Sequence, residues 1–183
     1  MIEAADNSAG KLVNLLARHF PCFRDESVFE KRTVRIMKRP QILVADIWAA
    51  FNEESYGEFN DIDSITMFAG IHILYNSQNI RLTHQDYRVP QILHTLGCLT
   101  YSPPLDSALR TQQPIAHDSS YEVQLRGCSI WTVEMIRREI LRKNPVAKVN
   151  AILIDFFLYD LAKEKEKSGE PAIPHHRTRS IWY

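Results

Sequence analysis

The chain has 183 residues, with 22 Lys plus Arg against 22 Asp plus Glu, so its formal net charge is zero. Hydrophobic residues make up 45% and charged residues 24%, an ordinary globular balance that excludes a disordered chain, a collagen-like repeat and a polybasic tail. A neutral chain of this length predicts one domain with a real core and argues against a dedicated nucleic-acid binder.

From the N-terminus, Lys11 to Phe20 has helical spacing, with Leu12, Leu15, Leu16 and His19 on one face. Ser8 is placed to cap that helix and Pro21 to end it. Arg24 to Met37 shows no clear period and reads as a loop or a short strand. Pro40 suits a helical first turn, and Pro40 to Asn52 predicts a second helix with Leu43, Ile47 and Phe51 on one stripe. Asp46 lies inside this mostly apolar element. Asp61 or Asp63 can cap a short helix through Phe68.

Residues 70–85 are rich in Asn, Gln and β-branched side chains and have no helical period. Arg88 to Leu96 predicts a helix stopped by Gly97. Ser102, followed by Pro103 and Pro104, starts another that reaches Arg110. Leu96 and Leu99, packed inward about the Gly97 turn, would make a weak helix-hairpin-helix signal. Thr111 to Tyr121 reads as a loop, and Ser129 as the cap of a helix to Lys143. Val149 to Lys165 predicts the last helix, apolar on nearly all sides at first and heavily charged at its end. The architecture is therefore expected to be all-α, mainly helical, with at most minor strand.

Cys22, Cys98 and Cys128 are odd in number and widely spaced, which supports neither a disulfide framework nor a zinc pattern. The longest apolar stretch, Ala151 to Ala162, contains Asp155 and Asp160 and is too short to span a bilayer. The N-terminus lacks the basic start and apolar core of a signal peptide, so a cytoplasmic protein is expected.

Among residues that could carry chemistry, Asp155 stands out, set between Ile154 and Phe156. A carboxylate in an apolar helix must find a cation or donors, or its pKa must rise, and such groups cluster at functional sites. A structural salt bridge is the plainer alternative. Asp46 raises the same question and more readily reads as a tie between a helix and a loop. Asp86 could simply cap the helix that follows it. Lys38 and Arg39 precede a helix N-terminus, where a cation helps to hold phosphate. His175, His176, Arg177 and Arg179 form a basic run without acidic or Cys ligands at metal spacing. No metal is expected.

Seven blocks in order carry a resemblance. They are Phe23-Arg-Asp-Glu-Ser27, Lys38-Arg-Pro-Gln-Ile-Leu-Val-Ala-Asp46, Asp63-Ser-Ile-Thr-Met-Phe-Ala69, Asp86-Tyr-Arg-Val-Pro-Gln91, Glu122-Val-Gln-Leu-Arg-Gly-Cys128, Ile154-Asp155 and His176-Arg-Thr-Arg179. Together they resemble the queuosine salvage family, the queuosine 5′-phosphate N-glycosylases (hydrolases), whose fold is similar to that of helix-hairpin-helix DNA glycosylases. The resemblance implies cleavage of the N-glycosidic bond of queuosine 5′-phosphate, which releases queuine for return to transfer RNA. It implies a small nucleotide as substrate, with no metal, no other cofactor, no direct nucleic-acid partner and no membrane.

It also implies Asp86 and Asp155 as the carboxylates at the reacting centre, one toward ribose and water and the other toward the base edge or ribose hydroxyls. Lys38 would take the 5′-phosphate. Tyr87, Arg88 and Phe68 would line the base or ribose pocket, with Arg126 and Trp131 as further candidates and Asp46 either at the site or structural. Family members carry a further N-terminal half before the stretch matching Ser8, so the chain is expected to be the C-terminal portion of a longer fold. Residues 70–85 interrupt the family pattern and read as an insertion, an untranslated or retained segment. The rival expectations are a helix-hairpin-helix DNA-binding or DNA-glycosylase module, and an inactive fragment of the salvage enzyme.

Overall fold

Ser8 starts the first long helix as its spacing predicts, accepting from the Lys11 N–H at 3.1 Å. The computed structural model describes residues 1–66, 72–73, 82–83 and 87–182. A single turn, α1 (Ile2–Ala5), leads into α2 (Ala9–His19), which buries Leu12, Val13 and Leu16. His19, expected on that face, is exposed. Asp61 does not cap a helix of its own. Its carboxylate accepts from the Ala9 N–H at 2.6 Å, the Gly10 N–H at 3.2 Å and the Ser8 hydroxyl at 2.9 Å, so it completes the cap of α2. Ile62–Ser64 forms only a 3₁₀ turn.

The segment without a clear period is a hairpin. Strand β1 (Glu26–Phe29) pairs antiparallel with β2 (Arg32–Arg35), Phe29 opposite Arg32. The two-residue turn places Glu30 and Lys31 at φ 47° and 65°. Such turns ordinarily advertise themselves as Asn-Gly or Asp-Gly, which explains why this one was not legible as a turn.

Helix α3 (Lys38–Ala50) starts two residues earlier than expected. The carboxylate of Asp25 accepts the Lys38 backbone N–H at 3.0 Å, satisfying a donor that a helix start leaves open. A minimal antiparallel pair, β3 (His72–Ile73) with β4 (Leu82–Thr83), falls within residues 70–85.

Helix α4 (Arg88–Thr95) ends at Gly97, whose φ of +72° suits glycine. Helix α5 (Pro103–Arg110) follows. Leu99 packs against the core, but Leu96 is exposed. Helix α6 (Ser120–Lys143) is more than a turn longer than read from sequence. Ser119 caps it, accepting from the Glu122 N–H at 3.3 Å. Ser129 is buried inside the helix, where its hydroxyl donates to the Leu125 carbonyl at 2.7 Å. Helix α7 (Ala151–Lys167) is capped by Asn150, which accepts from the Leu153 N–H at 3.0 Å. The described residues are thus mainly helical. No helix among them is long and apolar enough to cross a membrane.

Two apolar clusters meet at α7. One gathers α1, α2 and α3 around Leu12, Val44 and Trp48, and α7 enters it through Ile152, with Phe156 packed alongside. The other joins α4, α6 and α7 through Val89, Leu93, Val133, Ile154 and Leu158. Asp155 therefore lies on the helix that both clusters share. A smaller cluster sets Leu105 and Leu109 of α5 against Ile115 and Ile173.

Candidate functional site

The N-terminus of α3, the first turns of α6 and the middle of α7 bring charged side chains into the interior. Lys38, Asp25, Glu122, Arg126 and Asp155 are each at most 2% exposed. Arg126 donates to Asp25 at 2.5 Å and lies 3.5 Å from Glu122, one helical turn away. The Lys38 ammonium donates to the main-chain carbonyl of Trp182. Burial drives the Lys38 pKa well below its ordinary value, the positive charge of Arg126 adds to this, and Asp25 and Asp155 oppose it. Burial pushes Asp155 well above the usual carboxylate range, and Lys38 pulls it partly back. The Oδ1 of Asp155 is buried without a hydrogen-bond partner among the described residues, so they give the carboxylate little help in staying ionised.

The C-terminal segment closes over this group. The Ile115 N–H donates to the Arg177 carbonyl at 2.8 Å, Gln91 to the Ile173 carbonyl at 2.7 Å, and the Tyr87 hydroxyl to the Thr178 carbonyl at 2.9 Å. His176 is 3% exposed. Burial and the nearby charges of His175, Lys38 and Arg126 lower its pKa to about 3, so its ring is neutral at physiological pH. Tyr87 meets His176 edge-on at 4.7 Å and stacks on His175 at 5.2 Å.

Beyond Tyr87 opens a cavity of about 460 Å³, lined by Tyr87, Arg88, Gln91, Lys165, Glu166 and His175 among others. Arg88 pairs with Glu166 at 2.7 Å across it. Tyr87 thus has one neighbour, His176, within the buried charge cluster and another, His175, on the cavity wall. An aromatic platform with cations and carboxylates around it suits a polar, ring-containing ligand.

Of the residues named from sequence, the structure gathers Lys38, Asp155 and Arg126 in the buried cluster and Tyr87 and Arg88 at the cavity. Asp86 and Phe68 lie outside the described residues. Asp46 is half-buried within α3, and burial raises its pKa to about 6. Trp131 is not brought to this cavity. It is 55% exposed on α6 and borders a separate hollow of about 300 Å³ with Asp63, Thr66 and Ala151.

Sequence reasoning did not single out Asp25, Glu122 or Trp182, and it weighed His176 only as part of a basic run without metal spacing. Asp25, Glu122 and His176 lie within the blocks that carried the resemblance, and that was the available signal. Among the described residues, His117, Asp118 and Glu122 offer donor atoms within 4.8 Å of one another. They stand at the positive N-terminus of α6 beside Arg126, a field that opposes a bound cation.

The profile of the family described as "Queuosine salvage protein" matches residues 1–183. The chain belongs to the queuosine salvage family. It is 47% identical to the queuosine 5′-phosphate N-glycosylase/hydrolase of Schizosaccharomyces pombe, matching all of this chain and 49% of that protein. The mouse protein of the same name is 39% identical, and that of Sphaerobacter thermophilus 36%, each again over all of this chain and 50% of the relative. The chain spans about half the length of these curated relatives. The matches to the yeast, mouse and bacterial proteins each extend over the whole of this chain.

Proposed function

We propose that this chain carries the glycosidic-bond chemistry of queuosine salvage, the hydrolysis of queuosine 5′-phosphate to queuine and ribose 5-phosphate. The observation that carries the reading is the buried pair Asp155 and Lys38, set behind the Tyr87 platform in a chain of this family. Water adds at C1′, the bond from C1′ to the base nitrogen breaks, and that nitrogen takes a proton. Positive charge builds on the ribose as the bond stretches, and a nearby carboxylate stabilises it.

The base lacks the N7 that purine hydrolases protonate, so sugar-side charge and contacts to the remaining base edges lower more of the barrier. The raised proton affinity of Asp155 suits it to the base edge as a proton donor, which leaves Asp86 for ribose and water. Lys38 is assigned to the 5′-phosphate. To reach it, the ammonium exchanges the neutral Trp182 carbonyl for a charged oxygen, a stronger partner. Tyr87, Arg88 and Phe68 line the base or ribose pocket, with Arg126 holding the cluster together.

In the same reading the chain acts as a single domain, the C-terminal portion of a longer fold, with residues 70–85 an insertion. Kinship with helix-hairpin-helix DNA glycosylases rests on the resemblance, and the succession of the two short helices α4 and α5 about Gly97 is in keeping with it. A cytoplasmic setting is supported by three free, exposed cysteines. A DNA-directed module gains no support from a chain of zero net charge.

The test is to incubate the purified chain with queuosine 5′-phosphate, alone and with the rest of a relative's chain supplied, and to detect queuine by mass spectrometry. Release that is lost in Asp155→Asn and Asp86→Asn supports the reading. No release from either form overturns the function, and full turnover in both variants overturns the site.

A further inference from the structure

Helix α6 has one buried face and, opposite it, a face that exposes large apolar side chains. Its inner face buries Val123, Arg126, Ser129 and Val133. Its outer face carries Tyr121, Gln124, Cys128, Trp131 and Met135, separated by three, four, three and four residues, and all five are exposed. Trp131 is 55% exposed, Met135 49% and Tyr121 40%.

That spacing is the alternating step of a helix-packing seam. Over the 24 residues of α6 the helix runs about 36 Å. Gly127 lies beside the seam, where an added Cβ would meet no atom within 4 Å. A glycine inside a helix costs stability relative to alanine, and among the described residues nothing crowds it. The hollow next to Trp131, lined in part by Ile130, Glu134 and Arg138, offers a socket for a side chain from a partner. An apolar helix face of this kind is ordinarily covered.

We infer that the outer seam of α6 is the packing surface for the half of the queuosine salvage protein that this chain does not contain. The size of the missing partner is set by the relatives, of which this chain matches 49 to 50% at full coverage of its own length. The seam is independent of the charge cluster, since α6 presents Arg126 inward and Trp131 outward. The inference rests on family membership and seam geometry, not on the proposed reaction, and its readout is binding.

The probe is the unmatched half of the Schizosaccharomyces pombe relative, purified separately and titrated into this chain by calorimetry, with mass measured by light scattering. A 1:1 complex is expected. Trp131→Glu and Met135→Glu should each weaken it tenfold or more while leaving the chain's own thermal melt in place, because both side chains are exposed. Phe157→Glu, on an exposed site of α7, should bind like the parent. The inference is overturned by any of four results. These are no complex with the unsubstituted chain, seam variants that bind like the parent, a complex broken by Phe157→Glu instead, or a seam that proves to hold two copies of this chain together.

Discussion

Arg126 donates to the Oδ2 of Asp25 at 2.5 Å, and neither side chain is more than 1% exposed. The same oxygen takes the Lys38 backbone N–H, so one carboxylate ties α6 to the first turn of α3 and holds the base of the candidate site.

Removing one partner of a buried pair leaves an uncompensated charge, which costs about 3–5 kcal/mol. Arg126→Met should therefore destabilise the chain by about that amount in urea unfolding. A loss below about 1 kcal/mol would show that water or a shifted side chain takes over the role.

His176 is neutral in the fold, with a pKa of about 3, and titrates near 6.5 when unfolded. Its folded pKa is the lower one, so below 6.5 the unfolded chain binds the extra proton. The stability it contributes is full above about pH 6.5 and is lost as pH falls toward 3, at about 1.4 kcal/mol per unit. Relative to the parent, His176→Phe should remove about 2 kcal/mol of the decline between pH 6.5 and 5. Parallel stability curves for the two proteins would refute the assignment.

Asp46 has the opposite sign. Burial raises its folded pKa to about 6, so its contribution is full below about pH 4 and is lost as pH rises to 6. Asp46→Asn should stabilise the chain by about 2 kcal/mol at pH 7.5 and by almost nothing at pH 4. A queuine assay run on the same variant separates a structural Asp46 from one that touches substrate.

Gly57 sits against the end of α3. A Cβ there would lie 2.8 Å from the Phe51 Cβ and 2.9 Å from the Ile47 carbonyl oxygen. Backbone cannot step aside cheaply, and overpacking costs about 1–3 kcal/mol. Gly57→Ala should lower the melting temperature by roughly 3–8 °C for a chain of this size. An unchanged melt would mean that the α3 end is free to move.

The sequence by itself determined the helical class, the Ser8 cap of α2, the Gly97 stop of α4 and the apolar setting of Asp155. Each of those signals is local, written in residues within a turn or two of one another. Only the tertiary structure decided which charges meet. Asp25 and Arg126 are 101 residues apart, and Lys38 and Trp182 are 144 apart, so neither contact leaves a mark in any short window. The cap that Asp61 supplies to Ala9 spans 52 residues, and it is hidden for the same reason. Burial is a property of the packed chain. The protonation states of Asp155, Lys38 and His176 follow from it, and periodicity alone could mark those residues only as candidates.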